Sequence, residues 1–166
     1  TAKLFAKVKI NEEMMFLPRF GIRAFVDKSF AKVKYYGYGP YESYEDKKLA
    51  SYPAVFETTV KALHEDYIKP QENGSHCGCR FVELSDGQNI IRADGLDFSF
   101  NVSHYTQEEF TEKKHNFELT ECENIVLCID YRQSGIGSNS CGPETNDKFK
   151  IKGGFEFKIQ VSNRNI

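Results

Sequence analysis

Apolar and polar residues alternate with a period of two along most of this chain. Ala2, Leu4, Ala6, Val8 and Ile10 fall on one side of its opening stretch, with Lys3, Lys7 and Lys9 on the other. Phe20, Ile22, Ala24 and Val26 alternate with Arg19, Gly21, Arg23 and Phe25, and Leu96, Phe98, Phe100 and Val102 with Asp97, Ser99, Asn101 and Ser103. Successive side chains of a strand point to opposite faces, so these stretches predict half-buried antiparallel strands. The same pattern predicts strands near Val33–Tyr36, Cys79–Leu84, Asn89–Ala93, Asn116–Thr120 and Ile125–Asp130. A closing pair is expected too, Phe149 and Ile151 preceding Phe155, Phe157, Ile159 and Val161, with Gly153-Gly154 supplying the positive φ angles of a tight hairpin.

Helical signals are few. Thr106-Gln107-Glu108-Glu109 is a capping box: the threonine hydroxyl takes an orphan amide and Glu109 reaches back to the cap residue, opening a short helix over Gln107–Lys113. Val60, Leu63 and His64 on one side predict a helical turn within Thr59–Glu65. Strands separated by Gly, Pro, Asn and Asp clusters imply an all-β antiparallel β-sandwich with one short helix. Its core and surface share nine tyrosines and fourteen phenylalanines.

At 166 residues the chain is one domain, 1–166, large enough to bury a core without disulfides. It opens without Met and already inside an alternation, which reads as a piece of something longer. Lys and Arg number 22 against 24 Asp and Glu, and the basic residues are dispersed, which argues against nucleic acid as a partner. No apolar run approaches the ~18–20 residues needed to cross a bilayer, so no membrane partner is expected. The five cysteines are an odd number, and the one-residue gap between Cys77 and Cys79 suits neither a strain-free disulfide nor a zinc knuckle. Free thiols and a cytoplasmic location are the expectation.

The loop Ser134-Gly135-Ile136-Gly137-Ser138-Asn139-Ser140-Cys141-Gly142-Pro143 packs three glycines and a proline where no core could use them. Its glycines let backbone approach a ligand, and Ser138, Asn139 and Ser140 offer short groups suited to sugar hydroxyls; an ordinary hairpin loop is the plainer reading. Tyr35, Tyr36, Tyr38, Tyr41 and Tyr44 form an aromatic cluster broken by Gly37, Gly39 and Pro40. It reads as a sugar-binding patch or, more simply, as rings over a sandwich edge with their hydroxyls in water. Glu72 and Asn73 precede Gly74 on a turn with exposed side chains. Asn73-Gly74-Ser75 and Asn101-Val102-Ser103 match the N-glycosylation pattern, a short match discounted here because the thiols read as free. His64, His76, His104 and His115 lack metal-ligand spacing, so no metal site built by this chain is expected.

Taken with Tyr67-Ile68-Lys69-Pro70-Gln71-Glu72-Asn73-Gly74 and the run Tyr36–Tyr44, the Gly135–Pro143 loop and its lead-in Asp130-Tyr131-Arg132-Gln133 closely resemble the C-terminal domain of family 2 β-galactosidases. The resemblance covers nearly the whole chain. It implies a galactose-mutarotase-like supersandwich, truncated here, and hydrolysis of terminal β-D-galactosides by the parent enzyme. In the family the loop reaches the mouth of a catalytic barrel. That implies substrate contacts from Ser138, Asn139, Ser140 and Cys141, the last standing where some members place a tryptophan in a loop one residue longer. A thiol lacks that wide π-face.

The resemblance also puts both catalytic glutamates on the barrel, and no βα repeat occurs in this sequence. No catalytic residue is therefore assigned to this chain, and the isolated piece is expected to hydrolyse nothing. Magnesium or sodium ions, where the parent uses them, would sit elsewhere. The implied partners are the β-galactoside and a barrel domain on the same or a second chain. A homo-oligomer is also expected, since Ala2–Ile10 presents an unpaired edge that invites self-pairing at high concentration. Alternatives from the residues are a stand-alone carbohydrate-binding module, or a mutarotase-like enzyme built on His104, His115 and Glu72. The small subunit of a two-chain galactosidase is a third.

Overall fold

A computed structural model describes residues 1–136 and 142–166. It contains eight strands, β1 (Ala2–Lys9), β2 (Arg19–Asp27), β3 (Lys32–Gly39), β4 (Tyr52–Thr59), β5 (His76–Ser85), β6 (Asn89–Ser103), β7 (Asn124–Gln133) and β8 (Gly154–Asn165), and one helix, α1 (Gln107–Glu112). All named pairings are antiparallel. Strand order runs β1-β8-β6-β5-β3-β4, with β7 and then β2 branching from β6.

The branch point is β6. Its first half, from Asn89 to Gly95, pairs with β8, and its second half, from Ser99 to Ser103, pairs with β7. Asp97, the turning residue between them, has φ of 52°. The bend sets β2 and β7 facing β8 across the core. Phe20 of β2 meets Phe155 of β8 edge-on at 5.2 Å, and Tyr131 of β7 stacks on Phe155 at 4.0 Å. The all-β sandwich expected from the alternation is therefore present, and the two halves of β6, expected as separate strands, are one bent strand.

Apolar positions of the alternation on β2, β7 and the second half of β6 fill the space between these layers, whereas Leu96, expected on the same face, is exposed. Ile22 pairs with Ile129, Ala24 with Leu127 and Val26 with Ile125; Val26, Ile125, Leu127 and Ile129 form one cluster with Phe98, Phe100, Val102, Phe157 and Ile159, and Ile22 packs against it. Tyr35 sits inside the same cluster, 5.0 Å from Phe100 and 4.5 Å from His76 between ring centroids. Large side chains buried this fully stabilise by about 1.5–3 kcal/mol each relative to exposure.

The second half of β6 is buried on both faces. Ser99, Asn101 and Ser103, expected to face water, are almost fully covered. Asn101 donates to the Asn73 carbonyl, and on β7 the Gln107 side chain of α1 lies 3.5 Å from Cys128 Sγ. The helix and the segment around Asn73 thus roof a polar layer of the sheet, and every group in it needs a partner.

Three local expectations are corrected, and one strand the alternation did not predict is added. Asn116–Glu118 is a single 3₁₀ turn, not a strand, because Glu118 takes the amides of Lys114 and His115 and closes the chain on itself. Ile151 makes only an isolated bridge to Leu17, so Gly153, although its φ is +73°, ends no hairpin. Thr106 caps α1 as expected, its Oγ1 accepting from Glu109 N at 3.1 Å, but the Glu109 carboxylate takes Thr120 N instead of the cap. The added strand is β4, where burial alternates between half-buried and exposed from Ala54 to Thr59 and Val55 is on the exposed side, as suits an edge.

Candidate functional site

The loop predicted to meet substrate leaves the sandwich at the end of β7, and its root is tied on three sides. Ser134 N donates to the Pro18 carbonyl at 2.8 Å, Ser134 Oγ donates to the Leu17 carbonyl, and the same Oγ accepts from Ile151 N at 2.8 Å. Gly135 then takes φ of +73°, a left-handed conformation in which a Cβ would lie 2.6 Å from the Asp46 carboxylate. Ile136 N donates to Asp46 Oδ1 at 3.2 Å. Asp46 belongs to the turn closed by the Tyr44–Lys47 bridge, so the β3–β4 connection fixes the angle at which the loop departs. The substrate-binding residues expected from the sequence, Ser138, Asn139, Ser140 and Cys141, lie outside the described residues.

Beneath the root is a buried charge cluster that the sequence did not reveal. Arg19 of β2 donates from Nε to Asp130 Oδ1 at 3.0 Å and from Nη2 to Oδ2 at 2.7 Å, and from Nη1 to Glu72 Oε2 at 3.2 Å. Asp130 is 2% exposed. It fits because residue 21 is glycine: a Cβ there would sit 2.1 Å from Asp130 Oδ1. Burial pushes the pKa of Asp130 above its ordinary value, although the Arg19 hydrogen bonds pull the other way. Burial also raises Glu72, with Arg19 opposing and the Asp130 charge adding to the rise. Burial works against the Arg19 charge, but bonding to Asp130 outweighs it and its pKa is raised. Glu72 and Asn73, expected exposed on a turn, are half-buried and buried because Arg19 and Asn101 draw them in.

A second cluster adjoins the first. Glu42 is buried and accepts from Lys47 Nζ, Tyr67 Oη and, at 2.9 Å, Gly74 N. This ties the β3–β4 connection to the Tyr67–Gly74 segment. Around it Tyr41 and Leu49 stand exposed. Of the tyrosines expected to keep their hydroxyls in water, Tyr35 and Tyr44 are instead core residues, and Tyr35 Oη lies 3.2 Å from His76 Nδ1. Gly39 makes room for Tyr35: a Cβ there would meet Tyr35 Oη at 2.2 Å.

Among the described residues this arrangement ties backbone segments together. Retaining glycosidases need two accessible carboxyls ~5–5.5 Å apart. Asp130 is inaccessible with both oxygens on Arg19, and Glu72 shares that same cation. The mutarotase-like trio is not assembled: Glu72 bonds Arg19, whereas His115 pairs with Glu118 at 3.6 Å and stacks on Phe117. Burial pushes the thiols of Cys77 and Cys79 up, and Cys128 up to about 11, leaving them un-ionised at neutral pH. The sequon residues Asn73 and Asn101 are buried. Among the described residues, no three His, Cys, Asp or Glu side chains gather to hold a metal ion.

These observations define the class of domain: a bent antiparallel β-sandwich carrying a loop whose root is braced at the end of β7. Residues 2–161 match the family described as beta galactosidase small chain. The chain is 50% identical over 148 residues, 89% of its length, to a beta-galactosidase of Actinobacillus pleuropneumoniae. It is 48% identical over 137 residues, 82% of its length, to one of Staphylococcus xylosus, and 30% identical over 146 residues to one of Streptococcus thermophilus. The chain therefore belongs to the beta-galactosidase small-chain family. It spans 14% of the length of each of these relatives.

Proposed function

We propose that this chain is the closing module of a β-galactosidase: it completes the wall of a cleft in which terminal β-D-galactosides are hydrolysed by carboxylates carried elsewhere. The observation that carries the reading is the braced loop root, Ser134 and Asp46 holding Gly135-Ile136 in a fixed direction, in a chain of this family. A loop held this way can orient a sugar and exclude water without transferring a proton. Ser138, Asn139, Ser140 and Cys141 are the residues assigned to substrate. The exposed apolar side chains of Tyr41 and Leu49, which line one cavity with Glu42 and Lys47 on the β3–β4 connection, support packing of this end on a barrel domain.

Two proteins test it together. The purified chain should leave o-nitrophenyl galactoside intact, and mixing it with a β-galactosidase truncated before the matching segment should restore hydrolysis. Cleavage by the chain alone, or no recovery on mixing, refutes the reading. A second reading, the separately encoded small subunit of a two-chain enzyme, draws support from the family's description as a small chain. Recovery with a natural large subunit and not with a truncated single-chain enzyme selects it. Calorimetric binding of galactose by the chain alone would select a free-standing carbohydrate-binding module instead.

A further inference from the structure

Where the two arms of the Ser134–Pro143 loop come together, they share a small cavity of about 160 Å³. Arg132 of β7 lines it from the outgoing arm, Lys148, Lys150 and Lys152 from the returning arm, and Glu45 from the β3–β4 connection. The arms are tied beside it by the hydrogen bond from Ile151 N to Ser134 Oγ, 2.8 Å long. Along the returning arm the three lysines alternate with Phe149 and Ile151. The loop closure therefore gathers basic residues that the sequence keeps apart. Among the described residues that line the cavity, four are cationic and Glu45 is the one carboxylate.

This positive charge is incompletely matched. Glu45 is neutralised by Lys48 at 3.2 Å, outside the lining. Lys150 bonds Glu144 at 2.7 Å and Asp147 at 3.0 Å, and Lys152 bonds the same Asp147 at 2.9 Å, so one carboxylate serves two ammonium groups. Lys148 is exposed, lies 4.7 Å from the centre of the Phe149 ring, and has no ion pair among the described residues. Arg132 gives Nη2 to Asp97 at 2.7 Å, yet its Nε is buried and has no hydrogen-bond partner. A buried donor on a charged group is costly to leave unmade, so an acceptor belongs beside it. A guanidinium N–H and an unpaired ammonium on one cavity match the oxygens of an oxyanion, the first by direction and the second by charge.

We propose that this cavity binds a phosphate group, held by Arg132 Nε and the Lys148 ammonium, which joins the outgoing arm of the loop to the returning one. The phosphate is either a free anion or a substituent on a sugar, and both present the same oxygens. Bound there, it adds a link across the stem on top of the Ser134–Ile151 contact and separate from the Asp46 bond to Ile136. The site goes beyond the proposed cleft-closing role and rests on the cavity and its unmatched cations alone.

Inorganic phosphate and galactose 6-phosphate are titrated separately into the purified chain, at ionic strength held constant with potassium chloride, while its nitrogen-bound protons are followed by NMR. Saturable shifts are expected at the Arg132 Nε–H and at the amides of Lys148, Lys150 and Lys152, with a Kd of about 10 mM or tighter for at least one ligand. Arg132→Gln should abolish saturation. Lys148→Ala, at an exposed position where folding is undisturbed, should weaken binding several-fold, and Lys3→Ala on β1 should leave it unchanged. Tighter binding of inorganic phosphate supports a free anion as the ligand, and tighter binding of galactose 6-phosphate supports a sugar substituent. No saturable shift with either ligand overturns the proposal. So does equal weakening by Lys3→Ala and Lys148→Ala, which would show diffuse charge attraction in place of a site. None of these readouts involves hydrolysis, so failure here is distinct from failure of the cleft-closing role.

Discussion

Arg19 grips Asp130 with two parallel hydrogen bonds, 3.0 and 2.7 Å, across the β2–β7 pair just before the chain leaves for the loop. The contact falls where the β2–β7 register shifts, between Phe20 and Gly21, so one ion pair spans the irregularity in the ladder. Bidentate geometry fixes the guanidinium plane as well as its distance, which a single contact would not.

Breaking this pair leaves Asp130 buried without a cation, so Arg19→Met should destabilise the fold by about 3 kcal/mol, the low end for a buried pair because Arg19 is partly exposed. Asp130→Asn added to Arg19→Met should recover about 1 kcal/mol or more, since the stranded charge is gone. Urea unfolding of the three proteins measures both. A single-variant loss under about 0.5 kcal/mol would mean the pair is ornamental. Gly21→Ala should cost a comparable amount by forcing Asp130 away from Arg19, because its Cβ would be 2.1 Å from Oδ1.

His76 gives the fold a pH dependence of definite sign. It is fully buried between Tyr35 and Phe100, and its Nδ1 donates to the Tyr38 carbonyl at 2.9 Å. Burial lowers its pKa from 6.5 to about 4. The unfolded chain therefore takes up a proton that the folded chain refuses as pH falls through 6.5, and stability drops until about pH 4. By pH 5 the loss from this residue should be about 2 kcal/mol relative to pH 7. Glu72 and Asp130, raised by burial, act in the opposite direction: folding favours their protonated forms, and that contribution fades as pH rises through their folded values. Comparing wild type with His76→Phe isolates the histidine. Identical pH slopes between 7 and 5 in the two proteins would remove the assignment.

What could be read from the sequence was whatever depends on neighbours along the chain. Phe98, Phe100 and Val102 announce a core face by spacing alone, and Thr106 announces a cap. Glu72 does not announce its burial, because the Arg19 that draws it in is 53 positions away. Tyr35 looked like its wet neighbours Tyr38 and Tyr41; only the packing of Phe56, His76 and Phe100 around its ring makes it core. Strand β4 stayed hidden because its alternation in burial is not one of residue type, Val55 lying exposed and Thr58 half-buried, and its partner β3 supplies the pairing. The loop Ser134–Pro143 was legible as a feature from its glycines, but the residue that braces its root, Asp46, lies on a different connection and has no local signature.

Asp46 should therefore be a positioning residue whose loss is felt in the loop and not in the core. Asp46→Ala removes the acceptor of Ile136 N, and a hydrogen bond to a charged acceptor contributes about 1.5 kcal/mol. Exchange of the Ile136 amide should accelerate roughly tenfold while amides of β6 and β7 keep their protection. Asp46→Asn retains an acceptor oxygen and should restore most of the difference. Gly135→Ala attacks the same contact from the other side: φ of +73° disfavours a side chain, and its Cβ would press on the Asp46 carboxylate. In an assembled β-galactosidase carrying this chain, both Asp46→Ala and Gly135→Ala should raise KM for o-nitrophenyl galactoside several-fold with little change in kcat, as expected when substrate positioning is lost and the reacting carboxylates are untouched. An unchanged Ile136 exchange rate would sink the bracing role outright. A fall in kcat at constant KM would instead place Asp46 closer to the chemistry than its position beneath the loop allows.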